Sequence, residues 1–292
     1  MLYGSLEAGG TKMVMGIVDD TMQVLRRTSC PTRLPSETMQ DVIGFFQDEP
    51  ISALGIASFG PVNLDTTTDT YGSITNTPKL AWRDFPMMKT LRDALGVPCA
   101  IDTDVNASAL AEATLGAAQG LKNCVYFTVG TGIGAGVLSE GYLVHGMLHP
   151  EWGHVMLSRY ESDPLTRGVC PYHTHCAEGF ASGPSMQTRW GMPAAELPDD
   201  HRAWDIEAYY LAQLCLTAVM TVSPERILLG GGVMHRETLF PLIHKHLNDM
   251  IGGYLVHERL DRMDEYVCPP KLYPDSGLMG GALLARQLLA KS

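Results

Sequence analysis

No apolar run in this 292-residue sequence is long enough to cross a bilayer, and the amino-terminal MLYGSLEAGGTK lacks the basic-then-apolar order of a secretory signal. Neither a membrane partner nor export is expected. Basic residues are scarce: 21 Lys and Arg stand against 32 Asp and Glu, and the net charge of −11 argues against a nucleic-acid partner. The seven cysteines are odd in number and five stand singly in apolar surroundings, so a disulfide framework is not expected. Reduced thiols suit a cytoplasmic protein. Two familiar phosphate-binding signatures are missing as well, G-x-x-x-x-G-K-[ST] and G-x-G-x-x-G.

The stretch from 149 to 183, HPEWGHVMLSRYESDPLTRGVCPYHTHCAEGFASG, is the densest in chemistry. Cys170, His173 and Cys176 are spaced by three, with His154 sixteen residues before the first. Two thiolates and two imidazoles make a common closed shell for structural Zn²⁺. His175 could replace His173 as the fourth ligand. Such a shell leaves no position for a reacting water, so the metal would hold a loop that does something else. That something is the pair Glu151 and Glu178, each two or three residues from a ligand. Either carboxylate alone reads as a solvated surface charge, but together beside a metal they suit hydrogen bonding to a polyhydroxylated ligand.

In chain order the sequence predicts strands at 2–8, 13–18 and 22–28, and a helix at 36–47 with Ser36 as its N-cap. A strand follows at 51–58, then a long Thr-, Asn-, Gly- and Pro-rich segment from 59 to 86. Loops of that length in compact domains are usually functional or disordered. A helix at 87–95, a strand at 97–102 and a helix at about 105–118 complete the first half. The pattern restarts with strands at 124–129, 135–138 and 142–144, and continues with helices near 203–222, 236–252 and 278–290 around a strand at 226–229. A glycine-turned hairpin followed by helix–strand alternation thus occurs twice, which predicts two α/β domains of related topology. The expected division is 1–117, completed by the last helix at about 278–292, and 118–277 with the metal loop.

Gly9-Gly10-Thr11-Lys12 and Gly130–Gly134 would present backbone N–H groups at hairpin tips, where glycine's positive φ can build an anion-binding nest. Gly230–Gly232 ends a strand, the usual place for ligands of α/β sheets. Asp104, in Ile101-Asp102-Thr103-Asp104-Val105-Asn106, could take a hydroxyl proton during phosphoryl transfer. The same position equally suits a helix N-cap, worth ~1 kcal/mol.

The set EAGGTK, FGPV, NTPKLAW, DTDVNA, GTGIGAG, PEWGH, CPYHTHCAEGFASGP and ILLGGGV resembles the ROK family of sugar kinases, and is most similar to its bacterial, zinc-containing fructokinases. The resemblance spans nearly the whole chain. It implies an α/β, two-domain actin/hexokinase-like (ribonuclease H-like) ATP-binding fold that closes an interdomain cleft on sugar and Mg-ATP, commonly as a homodimer. It implies ATP-dependent phosphorylation of D-fructose to fructose 6-phosphate, with Asp104 as the catalytic base. Asn76, Glu151, His154 and Glu178 fall on sugar-binding positions, and Asn106 on a less direct one, with His154 also serving the zinc. Gly10, Thr11, Lys12, Gly130, Thr131, Gly132 and Gly134 fall on the phosphate loops, and Gly231 and Gly232 on the adenosine side.

There are departures from the family pattern. Glu7 stands where most members have Asp, which implies a longer or water-mediated contact to Mg²⁺. Thr103 replaces the Asn of the glucokinase-like N-D-x-N, which weakens a glucose assignment. His173 stands for a thiolate among the zinc ligands. Rival readings are another hexose or N-acetylhexosamine as substrate, a non-catalytic sugar-sensing regulator, and a zinc-bearing structural module.

Overall fold

The computed structural model describes residues 1–291. In chain order the strands are β1 (Leu2–Ala8), β2 (Lys12–Asp19), β3 (Val24–Pro31), β4 (Ala53–Ser58), β5 (Cys99–Thr103), β6 (Cys124–Val129), β7 (Ile133–Ser139), β8 (Tyr142–Leu143), β9 (Arg226–Gly230) and β10 (Val267–Cys268). The α-helices are α1 (Pro35–Phe46), α2 (Met87–Leu95), α3 (Asp104–Thr114), α4 (Ala177–Ala181), α5 (Gly183–Trp190), α6 (Ala203–Thr221), α7 (Leu239–Ile251), α8 (Met263–Tyr266) and α9 (Ser276–Ala290). None is long and apolar enough to cross a membrane among the described residues.

The chain packs as two compact units. The first comprises Met1–Gly116, Leu143–Pro150 and the chain from Leu272 onward; the second comprises Ala117–Tyr142 and Glu151–Lys271. The return of 143–150 to the first unit has no counterpart in the sequence reading. A buried histidine helps hold it there, since His149 Nε2 accepts the Val62 N–H at 3.2 Å.

Each unit is built on a five-stranded sheet, in the orders β3-β2-β1-β4-β5 and β10-β9-β6-β7-β8. In both, a central strand (β1 or β6) pairs antiparallel with the next strand of its hairpin and parallel with a later strand (β4 or β9). The repeated topology is therefore a property of the strand pairing itself.

In the first sheet the period-2 alternation of strands decides which side chains face which helices. Met13, Met15, Ile17, Leu54 and Ile56 pack with Met39, Val42 and Phe46 of α1 and with Met87 and Leu91 of α2. Ala53 and Ala57 face the other way, toward Leu110 of α3 and Met279 and Leu283 of α9. Small residues on that face let α9 come down to backbone contact. A Cβ on Gly55 would lie 1.7 Å from the Gly281 carbonyl oxygen, and one on Gly280 would lie 2.0 Å from that of Ala107. Gly280→Ala should therefore push α9 off α3 and cost at least about 1–3 kcal/mol in chemical denaturation. Gly44 of α1 meets nothing within 4 Å, so Gly44→Ala should instead stabilise by about 0.5–1 kcal/mol.

One local expectation needs correction. Ser36 is not the cap of α1: Leu34 occupies the cap position and Pro35 is the first helical residue. Proline's fixed φ and missing N–H fit it to that place. The long segment from 59 to 86 is ordered rather than loose. Ile74 and Trp82 are buried in the core, and the indole N–H of Trp82 donates to the Arg33 carbonyl at 2.8 Å.

Candidate active site

In the first unit, β5 ends and α3 begins within the run Asp102–Asn106. Thr103 is the helix cap, its Oγ1 accepting the Asn106 N–H at 3.1 Å. The capping role that the sequence left open for Asp104 is thereby taken. Thr103 is only 2% exposed, so the side chain read as altering sugar discrimination is spent on starting a helix. Asp104 is the first residue of α3, and its Oδ1 accepts the Val105 N–H at 2.9 Å. Burial lifts its pKa to about 6, against the lowering effect of that N–H.

Glu7, near the end of β1, belongs to the same electrostatic environment. Burial first, and then repulsion from Asp104, raise its pKa to about 7, while Lys12 opposes the shift. Its carboxyl lies where the start of α9 comes close: a Cβ on Gly277 would be 2.7 Å from Glu7 Cδ. A carboxyl whose folded pKa exceeds its ordinary 4.5 binds more protons folded than unfolded, so stability falls as pH rises from about 4.5 through about 7. Glu7→Gln should therefore be more stable than wild type at pH 8 by about 1–3 kcal/mol, with the difference gone near pH 4. Urea titrations at the two pH values measure this, and equal stabilities at pH 8 would contradict it.

The Gly9–Lys12 turn is closed by the Gly9 N–H donating to the Lys12 carbonyl at 3.0 Å. Its glycines do not adopt the positive φ expected of them, and nor do those of 130–134. What requires glycine is close approach. A Cβ on Gly9 would lie 2.7 Å from the Lys12 carbonyl oxygen, and one on Gly132 would lie 2.7 Å from Glu178 Oε2. Lys79, from the long 59–86 segment, lays its stem over Gly10, 3.2 Å from where a Cβ would be. That segment also carries Asn76, which is exposed. Asn106 is fully buried, and its Nδ2 donates to Asp102 Oδ1 at 2.7 Å. Asp102 and His145 join it in a network, His145 Nε2 lying 2.8 Å from Asp102 Oδ2.

The second unit gathers its candidate residues around the tip of the β6–β7 hairpin. Glu178, in the first turn of α4, accepts the Ile133 N–H at 3.0 Å. The turn Trp152–Gly153–His154 packs so tightly on the start of β7 that a Cβ on Gly153 would lie 1.9 Å from the Ile133 carbonyl oxygen. Gly231, expected on the adenosine side, is the one candidate ATP-site glycine with positive φ, at +92°, and a Cβ there would meet the Val129 backbone at 2.5 Å. Gly232 lies beside the same tip, its N 3.9 Å from where a Gly130 Cβ would stand. Thr131 and Glu151 are exposed.

The ligand atoms of His154, Cys170, His173 and Cys176 all lie within 4.8 Å of one another. Cys170 Sγ is 3.8 Å from His154 Nδ1 and 3.7 Å from His173 Nδ1. Ligands at about 2.0–2.3 Å from one tetrahedral ion would be about 3.3–3.8 Å apart, so the cluster fits a metal. His173, not the exposed His175, is the fourth member. A backbone ladder holds the loop ends together, with Ala177 N–H donating to Val155 O and Leu157 N–H to His175 O. Cys176 also caps α4 through the Gly179 N–H, which ties the metal cluster to the helix bearing Glu178.

The model of the ROK family matches residues 3–288. The chain belongs to the ROK family. It is 40% identical to a fructokinase of Pediococcus pentosaceus, over 99% of both chains. It is 39% identical to one of Lactococcus lactis subsp. cremoris, over 99% of this chain and 98% of that one. Among solved structures it resembles the ROK hexokinase of Thermus thermophilus, with a TM-score of 0.79, 25% identity and full coverage of both chains.

Within this ROK chain, sequence reasoning passed over Asp102, His145 and Lys79. Asp102 and Lys79 lay inside motifs already singled out, but a second aspartate two residues from the first looks redundant. Nothing local to His145 points to a partner 43 residues away.

Proposed function

We propose that this ROK protein is an ATP-dependent fructokinase that transfers the γ-phosphoryl group of ATP to O6 of D-fructose. Asp104 carries the reading: a carboxylate at a helix start, not engaged in capping, with its pKa lifted to about 6 by burial. A base poised just below neutral pH is ionised when needed yet basic enough to take a hydroxyl proton. Asp104 accepts the O6 proton as O6 forms its bond to the γ-phosphorus, and ADP leaves with the electrons of the broken P–O bond.

Backbone N–H groups around Gly10, Thr11, Gly130–Gly134 and Gly231-Gly232, with Lys12, hold the phosphates and the adenosine side. Glu7 fits a Mg²⁺ site, because a buried carboxyl held up to about 7 near a second carboxylate is relieved by a cation. Mg²⁺ would supply neutralisation of the phosphate charge. Asn76, Glu151, His154 and Glu178 bind the sugar in this reading, and Asn106 acts through Asp102. The two-thiol, two-imidazole cluster fits Zn²⁺, which would be structural. A homodimer and a cytoplasmic location complete the proposal.

An ADP-coupled assay with fructose, glucose, mannose and N-acetylmannosamine side by side tests it. Fructose should give the highest kcat/KM by at least ~10-fold, about 1.4 kcal/mol of transition-state preference. Comparable values across the hexoses would make it a broad hexokinase, and no turnover on any would remove the kinase reading.

A further inference from the structure

The first turn of α3 carries more than the proposed base. Asp102 is 4% exposed, and it is filled with donors. Its Oδ1 accepts the Thr103 N–H at 2.8 Å and Asn106 Nδ2 at 2.7 Å, and its Oδ2 faces His145 Nε2 at 2.8 Å. A carboxylate only accepts, so the Asp102 contact fixes the His145 proton on Nε2; it also raises the pKa of the ring against the opposing effect of burial, and in the neutral ring it leaves Nδ1 as an acceptor. The His145 side chain is 40% exposed whereas that of Asp102 is 6% exposed, so one edge of the imidazole is anchored in the protein while the ring reaches the surface. The neighbouring His149 cannot play this part: it is 7% exposed, and its Nε2 is taken by the Val62 N–H.

We infer that His145, oriented by Asp102, is a sugar-positioning residue whose Nδ1 accepts a hydrogen bond from one hydroxyl of the substrate other than the reacting one. Asp104 and Asn106 share one helical turn, and His145 Nε2 lies 3.4 Å from Asn106 Nδ2, so the imidazole stands beside the turn that bears the base. Asp102 and Asn106 then serve to fix the ring rather than to touch the sugar. The inference rests on the proposal that Asp104 is the base of a fructokinase.

Steady-state kinetics of wild type, His145→Ala, His145→Gln and Asp102→Asn test it on D-fructose, on its 1-, 3- and 4-deoxy analogues and on 2,5-anhydro-D-mannitol. His145→Ala should raise KM for fructose by about 10–100-fold with kcat changed less than about threefold. Wild type should penalise one analogue by a similar factor, and His145→Ala should erase that penalty. Asp102→Asn should reproduce the loss, since an amide offered to Nε2 moves the ring proton to Nδ1 and turns the acceptor into a donor. His145→Gln, which can donate to Asp102 and still accept, should recover part of the affinity, and it carries the test if the alanine variant fails to fold. A merely structural His145–Asp102 pair would lower thermal stability but leave every analogue penalty in place, and that result overturns the inference. Wild type inactive on fructose would overturn the kinase reading beneath it; wild type active with an unchanged KM in both His145 variants would overturn the role of His145 alone.

Discussion

Asp104→Asn should lower kcat for fructose by about 10³-fold, at the middle of the range for a lost general base, while fructose affinity stays within about threefold. The two quantities separate because Asn keeps the shape and the Oδ1 acceptor that meets the Val105 N–H, 2.9 Å away, but cannot take a proton. Thr103, not residue 104, caps α3, so the substitution should leave helix and fold intact. The pH profile gives a second readout. The base works only when ionised, so wild-type kcat/KM should rise with pH through about 6 and level off above it. Binding by isothermal titration and turnover by coupled assay measure both. Near-normal turnover in Asp104→Asn would remove this residue from the chemistry.

Removing the metal should destabilise the protein and weaken sugar binding together. An ion at 1,000 times its dissociation constant contributes about 4 kcal/mol, and for a chain of this size its loss should lower Tm by ~10 °C. Burial pushes the Cys176 thiol to about 11, so a bound cation is what would hold it as thiolate at neutral pH. The same sulfur accepts the Gly179 N–H at the start of α4, and Glu178 in that helix holds the Ile133 N–H at the hairpin tip. Chelation should therefore loosen Glu178 and the glycine tip along with the metal loop. Metal content by atomic absorption, Tm and fructose KM before and after chelation, then after Zn²⁺ is restored, are the measurements. Protein purified without stoichiometric metal, or a drop in Tm with an unchanged KM, would place the cluster outside the sugar's reach.

Much of this was legible in the chain because local rules sufficed. Apolar runs beside tight turns marked β1, β2, β4 and β6, and Pro35 and Pro50 bounded α1. The metal set was readable because three of its members fall within seven residues, so spacing alone confines them to one place. Asp104 was nameable from its position between a strand and a helix. β10 escaped because two residues carry no periodic signal, and its pairing with β9 is made 40 residues away.

Other features needed the fold. Whether Thr103 or Asp104 caps α3, and whether His173 or His175 joins the cysteines, are choices between near neighbours that could each serve, decided by where the backbone aims each side chain. The glycines of the two hairpins were recognisable as special, but for the wrong cause: close approach of Lys12 O and Glu178, not positive φ, excludes a side chain there.

By itself, then, the sequence determined the family and the repeated α/β pattern, and it narrowed the Cys/His cluster and the candidate base to a few named residues, because each is written in residues near one another or in an ordered series of motifs. Only the tertiary structure decided the raised pKa of Asp104 and Glu7, the pairing of His145 with Asp102 and the contact of Glu178 with the second glycine tip. Burial and through-space contact set those properties, and both arise when strands and helices far apart in sequence pack together.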